Sequence, residues 1–227
     1  IGIQQPRFDS GTQSCSEKQT AVLVLGDGRS GTSTLTRGLQ AIGVHLGTQF
    51  KWPTRRNPKG FFEERNLLRL SKRVRRDVGL LPGDVRLLSP EDWAQITNLH
   101  FQIMTGAIEA HMGSASVWGF KYASTIRILP FWLSLLPTLN IRPAFVFAYR
   151  NPLSVTRSRA KVDHRGGFRT KSYLEWLSHV LPYLHLVQGF PMVVVDYDRL
   201  MHDPEAQLQR VARRLSLTPN DVMAQGI

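Results

Sequence analysis

The chain contains a single cysteine, Cys15, so no disulfide can form within it, which fits a reducing compartment. It lacks an apolar run of the roughly twenty residues that a membrane-crossing helix needs, and its first residues lack the order of a secretory leader. Its seven histidines fall at no spacing that would gather ligands around an ion, so no metal is expected. No recognised nucleic-acid module is present, so nucleic acid is not an expected partner. Acids are scarce as well: 17 Asp and Glu stand against 29 Lys and Arg, for a net charge of +12. What is abundant is core material. With 42% apolar residues in 227 positions, the chain can bury one sizeable domain and is not globally disordered. It begins at Ile1 rather than Met, as a trimmed chain or a piece of a longer protein would. A cytoplasmic location is expected, with a lumenal domain of a longer anchored protein as the alternative.

The positive charge is concentrated. Lys51–Arg76 carries ten basic residues against Glu63 and Glu64, and Arg142–Lys171 carries eight against Asp163. Such fields attract phosphates, acidic glycans, nucleic acids or anionic membranes, although a solvated basic surface has the same composition.

Residues 1–19 are rich in Ser, Gln and Gly without a period and form an extension or linker; residues 20–227 form the domain. Ala21–Leu25 is continuously apolar, as a strand buried on both faces of a parallel sheet must be. Val117–Lys121, Pro143–Tyr149 and Met192–Val195 read as further strands, the last also buried. Helices are expected over about Gly31–Ile42, along Leu67, Leu70, Val74 and Val78, after Ser89-Pro90, after Asn151-Pro152, over Thr170–Val187 with a kink at Pro182, and after Asp203-Pro204. Trp93, Ile96, Leu99 and Ile103 are the expected apolar stripe of the helix after Ser89. Strands alternating with helices predict an α/β fold, a central parallel sheet flanked by helices on both faces.

Two turns carry the chemistry. Gly26-Asp27-Gly28-Arg29-Ser30-Gly31-Thr32-Ser33-Thr34 links a buried strand to a helix, where backbone amides and a helix N-terminus can cradle a phosphate. Gly26 and Gly31 are spaced as in the phosphate loop of ATP and GTP enzymes, but Thr32 stands where their Lys belongs; the cation is Arg29. The second turn is Tyr149-Arg150-Asn151-Pro152, with Ser158 eight residues after Arg150. An Arg at a strand end can fork onto a phosphate, and a helical hydroxyl can complete the clamp.

This pair of elements resembles PAPS-dependent sulfotransferases, whose loop places a Lys or Arg before Ser-Gly-Thr. In that family an Arg-Asn-Pro turn with a Ser eight residues beyond its Arg holds the 3′-phosphate. The likeness runs from about Ala21 to Leu215 and takes in Asn57–Glu63, Trp118–Lys121, Leu129–Trp132 and Val195–Glu205. It departs at Tyr122-Ala123-Ser124, where relatives often have Asp-Pro-Arg, and it lacks the C-terminal Gly-x-x-Gly-x-x-Lys element of cytosolic eukaryotic members. The resemblance implies a P-loop-like sulfotransferase architecture. It implies PAPS as co-substrate, PAP as product, and a hydroxyl or amine acceptor such as an acidic glycan. Gly28, Arg29, Ser30, Gly31, Thr32, Ser33 and Thr34 would bind the 5′-phosphosulfate; Arg150 and Ser158 would bind the 3′-phosphate. Arg29 would steady the leaving phosphate, Lys121 would touch the sulfuryl oxygens, and Glu63 would be the general base. A single negative charge on the transferring group makes a divalent metal unnecessary.

Plainer readings exist for each residue. The loop can be an ordinary strand-to-helix turn, Arg150 a surface Arg at a helix start, and Lys121 a surface Lys at a strand edge. Glu63 and Glu64 can simply favour a helix N-terminus. Rival functions are a P-loop kinase holding Mg²⁺ on Asp196, and a non-catalytic polyanion-binding module.

Overall fold

A computed structural model describes residues 19–55, 57–81, 83–160 and 169–217; Cys15 and the expected N-terminal extension lie outside these, apart from Gln19. Four strands form a parallel sheet in the order β2-β1-β3-β4: β1 (Thr20–Leu25), β2 (Val117–Lys121), β3 (Arg142–Tyr149) and β4 (Met192–Asp196). The helices are α1 (Thr32–Ala41), α2 (Arg65–Asp77), α3 (Pro90–Met112), α4 (Leu129–Thr138), α5 (Pro152–Ala160), α6 (Arg169–Leu184), α7 (Tyr197–His202) and α8 (Pro204–Arg214).

The continuous apolar strands are explained by two cores, one on each face. Along β1, Ala21, Leu23 and Leu25 face one core while Val22 and Val24 face the other, the period of two that a pleated strand requires. The first core holds the bulk, with Trp118, Phe120, Phe131, Trp132 and Phe145 all fully buried beside α2, α3 and α4. Each such side chain contributes about 1.5–3 kcal/mol of burial. The second core is aliphatic and packs α1 and α8 on Val146, Val193 and Val195.

Capping followed the sequence signals. Ser89 and Asp92 form a reciprocal capping box with Pro90 in the first turn, and Asp203 accepts from Ala206 N at 3.0 Å at the head of α8. α6 continues helical through Pro182 to Leu184.

Two expectations need correction. The buried face of α3 is Trp93, Ile96, His100, Met104, Ile108 and His111, whereas Leu99 and Ile103 are 67% and 48% exposed. Both histidines were overlooked because they are polar, yet each has a partner at its Nε2. His100 Nε2 lies 3.0 Å from Asp77 Oδ2, and His111 Nε2 lies 3.0 Å from the Gly119 carbonyl. Burial lowers the His111 pKa, which favours the neutral ring. The second correction concerns β4. It is an edge strand, and Val194 is 44% exposed, so only one of its faces is fully covered.

The order of the strands sets the site. From β1 the chain crosses to β2 on one side and later to β3 on the other, which opens a crevice at the carboxyl ends of the strands. The Gly26–Gly31 loop, Lys121, Arg150 and Tyr197 all sit at that edge.

Candidate functional site

The loop after β1 is built to bring backbone close to something. A Cβ on Gly26 would sit 2.8 Å from the Ala148 carbonyl, and one on Gly31 would overlap the Tyr197 ring. Gly31 caps α1 in the left-handed region, with φ of 87°, and no side chain caps the first-turn amides. Those amides and the positive end of the helix are therefore left for an anion. Arg29 is also left-handed, at φ 74°. A residue with a Cβ adopts this at a cost, and such strain concentrates at binding and catalytic sites.

Buried acid chemistry holds the loop from beneath. Asp27 accepts from Gly28 N at 2.8 Å and is ion-paired to Arg159 of α5, which also reaches Glu175 of α6 at 3.1 Å. Ser30 is buried and its amide donates to the Asp27 carbonyl at 3.2 Å. Sequence reading passed over this brace because its members lie far apart in the chain.

The two turns meet in space. Arg29 Nε donates to Ser158 Oγ at 3.0 Å, and Arg150 Nη1 donates to the Arg29 carbonyl at 3.1 Å. The Arg150 guanidinium lies 4.4 Å from the centre of the Tyr197 ring, the same ring that covers Gly31. Arg150 Nε is buried without a partner among the described residues, a donor that an incoming phosphate oxygen would satisfy. Ser158, expected beside the 3′-phosphate, is thus already bound to the cation of the first loop.

Glu63 and Glu64, adjacent in sequence, are separated by their environments. Glu64 is the N-cap of α2, accepting from Asn66 N at 3.0 Å and Leu67 N at 2.7 Å. Glu63 is 4% exposed; its Oε1 accepts from Lys121 Nζ at 3.0 Å and its Oε2 lies 3.6 Å from Lys51 Nζ. A short antiparallel strap fixes this placement: Lys51 N donates to the Glu63 carbonyl, and Arg65 N donates to the Gln49 carbonyl, each at 2.8 Å. Phe62, at φ 52°, turns the chain just before Glu63. The segment also touches the Gly26–Thr34 loop, because Ser33 Oγ donates to the Phe61 carbonyl at 3.3 Å. Lys121 is buried at the end of β2, and desolvation pushes its pKa down while the Glu63 charge partly restores it. It is not the surface Lys of the plainer reading.

The helix-N-terminus explanation of the acids therefore holds for Glu64 alone. Glu64→Ala is expected to destabilise the fold by about 0.5–2 kcal/mol, the range for a lost N-cap. That is a melting shift of roughly 2–8 °C at this chain length. An unchanged melting point would show that the cap contributes nothing.

Asp196, the residue a kinase would need on its metal, is instead the N-cap of α7 and accepts from Arg199 N at 3.0 Å. A separate cleft of about 500 Å³ beside His45, Gly47 and Val117 lies at the amino ends of the strands, away from these groups.

The sequence profile of the sulfotransferase family matches residues 21–221. No curated protein sequence matches the chain. Among solved structures it is similar to the sulfotransferase domain of the olefin synthase of Synechococcus PCC 7002, at 18% identity and TM-score 0.53, covering 93% of this chain and 78% of that one. It is also similar to the sulfotransferase STF1 of Mycobacterium tuberculosis H37Rv, at 14% identity and TM-score 0.57, covering 92% and 70% respectively. A third likeness is to the sulfotransferase domain of the curacin biosynthetic pathway, at 16% identity and TM-score 0.53, covering 92% and 77%. At these identities the likeness speaks for the fold.

Proposed function

The chain belongs to the sulfotransferase family, and we propose that it moves a sulfuryl group from PAPS to a hydroxyl or amine acceptor, with Glu63 as general base. One observation carries this reading above the others. Arg29 and Arg150, 121 residues apart in the chain, form a single cluster with Ser158 at the head of α1. Two cationic groups and a set of uncapped amides suit a nucleotide with phosphate at two positions.

The residues fit that ligand. The orphaned Arg150 Nε and the amides at the head of α1 that no side chain caps would each take an anionic partner. PAPS would supply the sulfuryl group and a stable phosphate leaving group. Gly28, Ser30, Gly31, Thr32, Ser33 and Thr34 would hold the 5′-phosphate, and Arg29 would offset the charge that grows there. Arg150 and Ser158 would take the 3′-phosphate. Lys121 would turn its ammonium to the sulfuryl oxygens. Glu63 would receive the proton that the acceptor loses as its oxygen or nitrogen bonds to sulfur. Holding these groups in place before reaction supplies most of the rate, as in other group transfers dominated by positioning.

Thermal denaturation with PAP and with Mg-ATP tests the reading. At a hundredfold excess over its dissociation constant, PAP should add about 2.7 kcal/mol and raise the melting point by roughly 5–10 °C. Mg-ATP should do little. A shift with Mg-ATP and none with PAP would transfer the case to phosphoryl transfer.

A further inference from the structure

Beside the Glu63–Lys121 pair lies a cleft of about 710 Å³ with an unusual lining. Its wall is the exposed face of α2, where Arg65, Arg69, Lys72, Arg73 and Arg76 recur at the helical period, and Lys51 also lines it. Among the described residues, Asp77 is the one acid in the lining, and it is already shared by Arg73 at 3.6 Å, Arg76 at 3.5 Å and His100 at 3.0 Å. Arg65 and Arg69 donate to neutral amides, Gln49 and Asn66, rather than to carboxylates. The floor is apolar, formed by Leu68 and Leu70 with Ile103 of α3.

We propose that this cleft binds an acidic polysaccharide and delivers one of its hydroxyls to Glu63; the delivery step, though not the binding, rests on the sulfuryl-transfer reading. Three observations select that occupant. The first is spacing. Successive cations on one helix face lie about 5–6 Å apart, and the row from Arg65 to Arg76 extends about 16 Å, so the wall matches a chain of repeated anions rather than one phosphate. The second is continuity. Lys51 lines the cleft and also stands 3.6 Å from Glu63 Oε2, so a chain seated there runs to the candidate base. The third is the aromatic content. Among the described residues, Trp52 is the one aromatic ring in the lining, 73% exposed and 5.6 Å from the Arg65 guanidinium. A single ring offers one sugar face a platform, whereas single-stranded nucleic acid is held by several stacked rings. A concave wall also suits a chain better than a membrane surface.

The test uses the full chain and the double variant Arg69→Glu/Arg73→Glu, both outside the nucleotide site. Titration with dextran sulfate and with polygalacturonate should show binding that weakens as salt rises, and neutral dextran should not bind. The variant should lose about a hundredfold in affinity for the acidic chains, roughly tenfold for each charged contact. Its PAP-induced melting shift should be unchanged. With PAPS present, sulfate incorporation should show a raised KM for the polysaccharide and a preserved kcat. Equal polysaccharide binding by the variant and the parent overturns the proposal. Tighter binding to phosphatidylserine vesicles or single-stranded DNA than to either polysaccharide, lost in the same variant, also overturns it, because the occupant would then be of another class. Polysaccharide binding that is lost in the variant while PAP gives no shift in the parent upholds the cleft and removes the sulfuryl-transfer reading.

Discussion

Replacing Arg150 by Ala is expected to weaken PAP binding by about 2–4 kcal/mol, roughly thirty- to a thousandfold, the scale of losing a forked charge-assisted contact. The structure gives Arg150 two tasks that this number alone would merge. Its Nη1 braces the Arg29 carbonyl at 3.1 Å, and its buried Nε has no partner. Adenosine 5′-phosphosulfate separates them, because it lacks the 3′-phosphate but still needs a well-formed first loop. If the unpartnered Nε marks the 3′-phosphate site, adenosine 5′-phosphosulfate should bind the variant nearly as well as the parent. Ser158→Ala should cost PAP about 1 kcal/mol. Equal losses for both nucleotides in the Arg150 variant would show that this side chain acts through the backbone of Arg29 and not on the 3′-phosphate. Calorimetric titration of the two nucleotides decides between these outcomes.

The contrast between these residues and Glu63 shows what a single sequence can carry. Strands β1 and β3 were legible because a strand covered on both faces must be apolar at every position, and their ends then located the Gly26 loop and Arg150. The edge strand β4 broke that logic: its apolar run is the same, but Val194 is 44% exposed. The α3 face was misread for a related reason, since His100 and His111 occupy core positions that a hydrophobicity pattern cannot credit. Contacts that depend on a long excursion were out of reach. The Glu63–Lys121 pair spans 58 residues and exists because Gln49–Lys51 pairs with Glu63–Arg65, a strap with no strand-like pattern. Tyr197 lies in the Val195–Glu205 segment of the likeness, but nothing local showed that it covers Gly31 and stacks on Arg150.

Glu63→Gln is expected to lower turnover by about 10²–10⁴-fold, the range for losing a general base, with PAP affinity close to that of the parent. Glu64→Gln should leave turnover near normal, since Glu64 faces the amides of α2. The geometry also contains the strongest rival explanation. Glu63 is the counter-charge of buried Lys121, and removing one member of a buried pair typically costs about 3–5 kcal/mol of stability. A slow variant could therefore be one whose Lys121 has lost its place. Two readouts tell these apart. The double variant Glu63→Gln/Lys121→Met removes both charges, so its melting point should recover towards the parent while its turnover stays low. The second readout is the acceptor. A phenol gives up its proton far more readily than an aliphatic alcohol, so it needs a base less, and the defect of Glu63→Gln should be much smaller with phenols. A defect of the same size for both acceptors would make Glu63 a positioning residue that acts through Lys121. Near-normal turnover with aliphatic alcohols would remove it from the mechanism altogether.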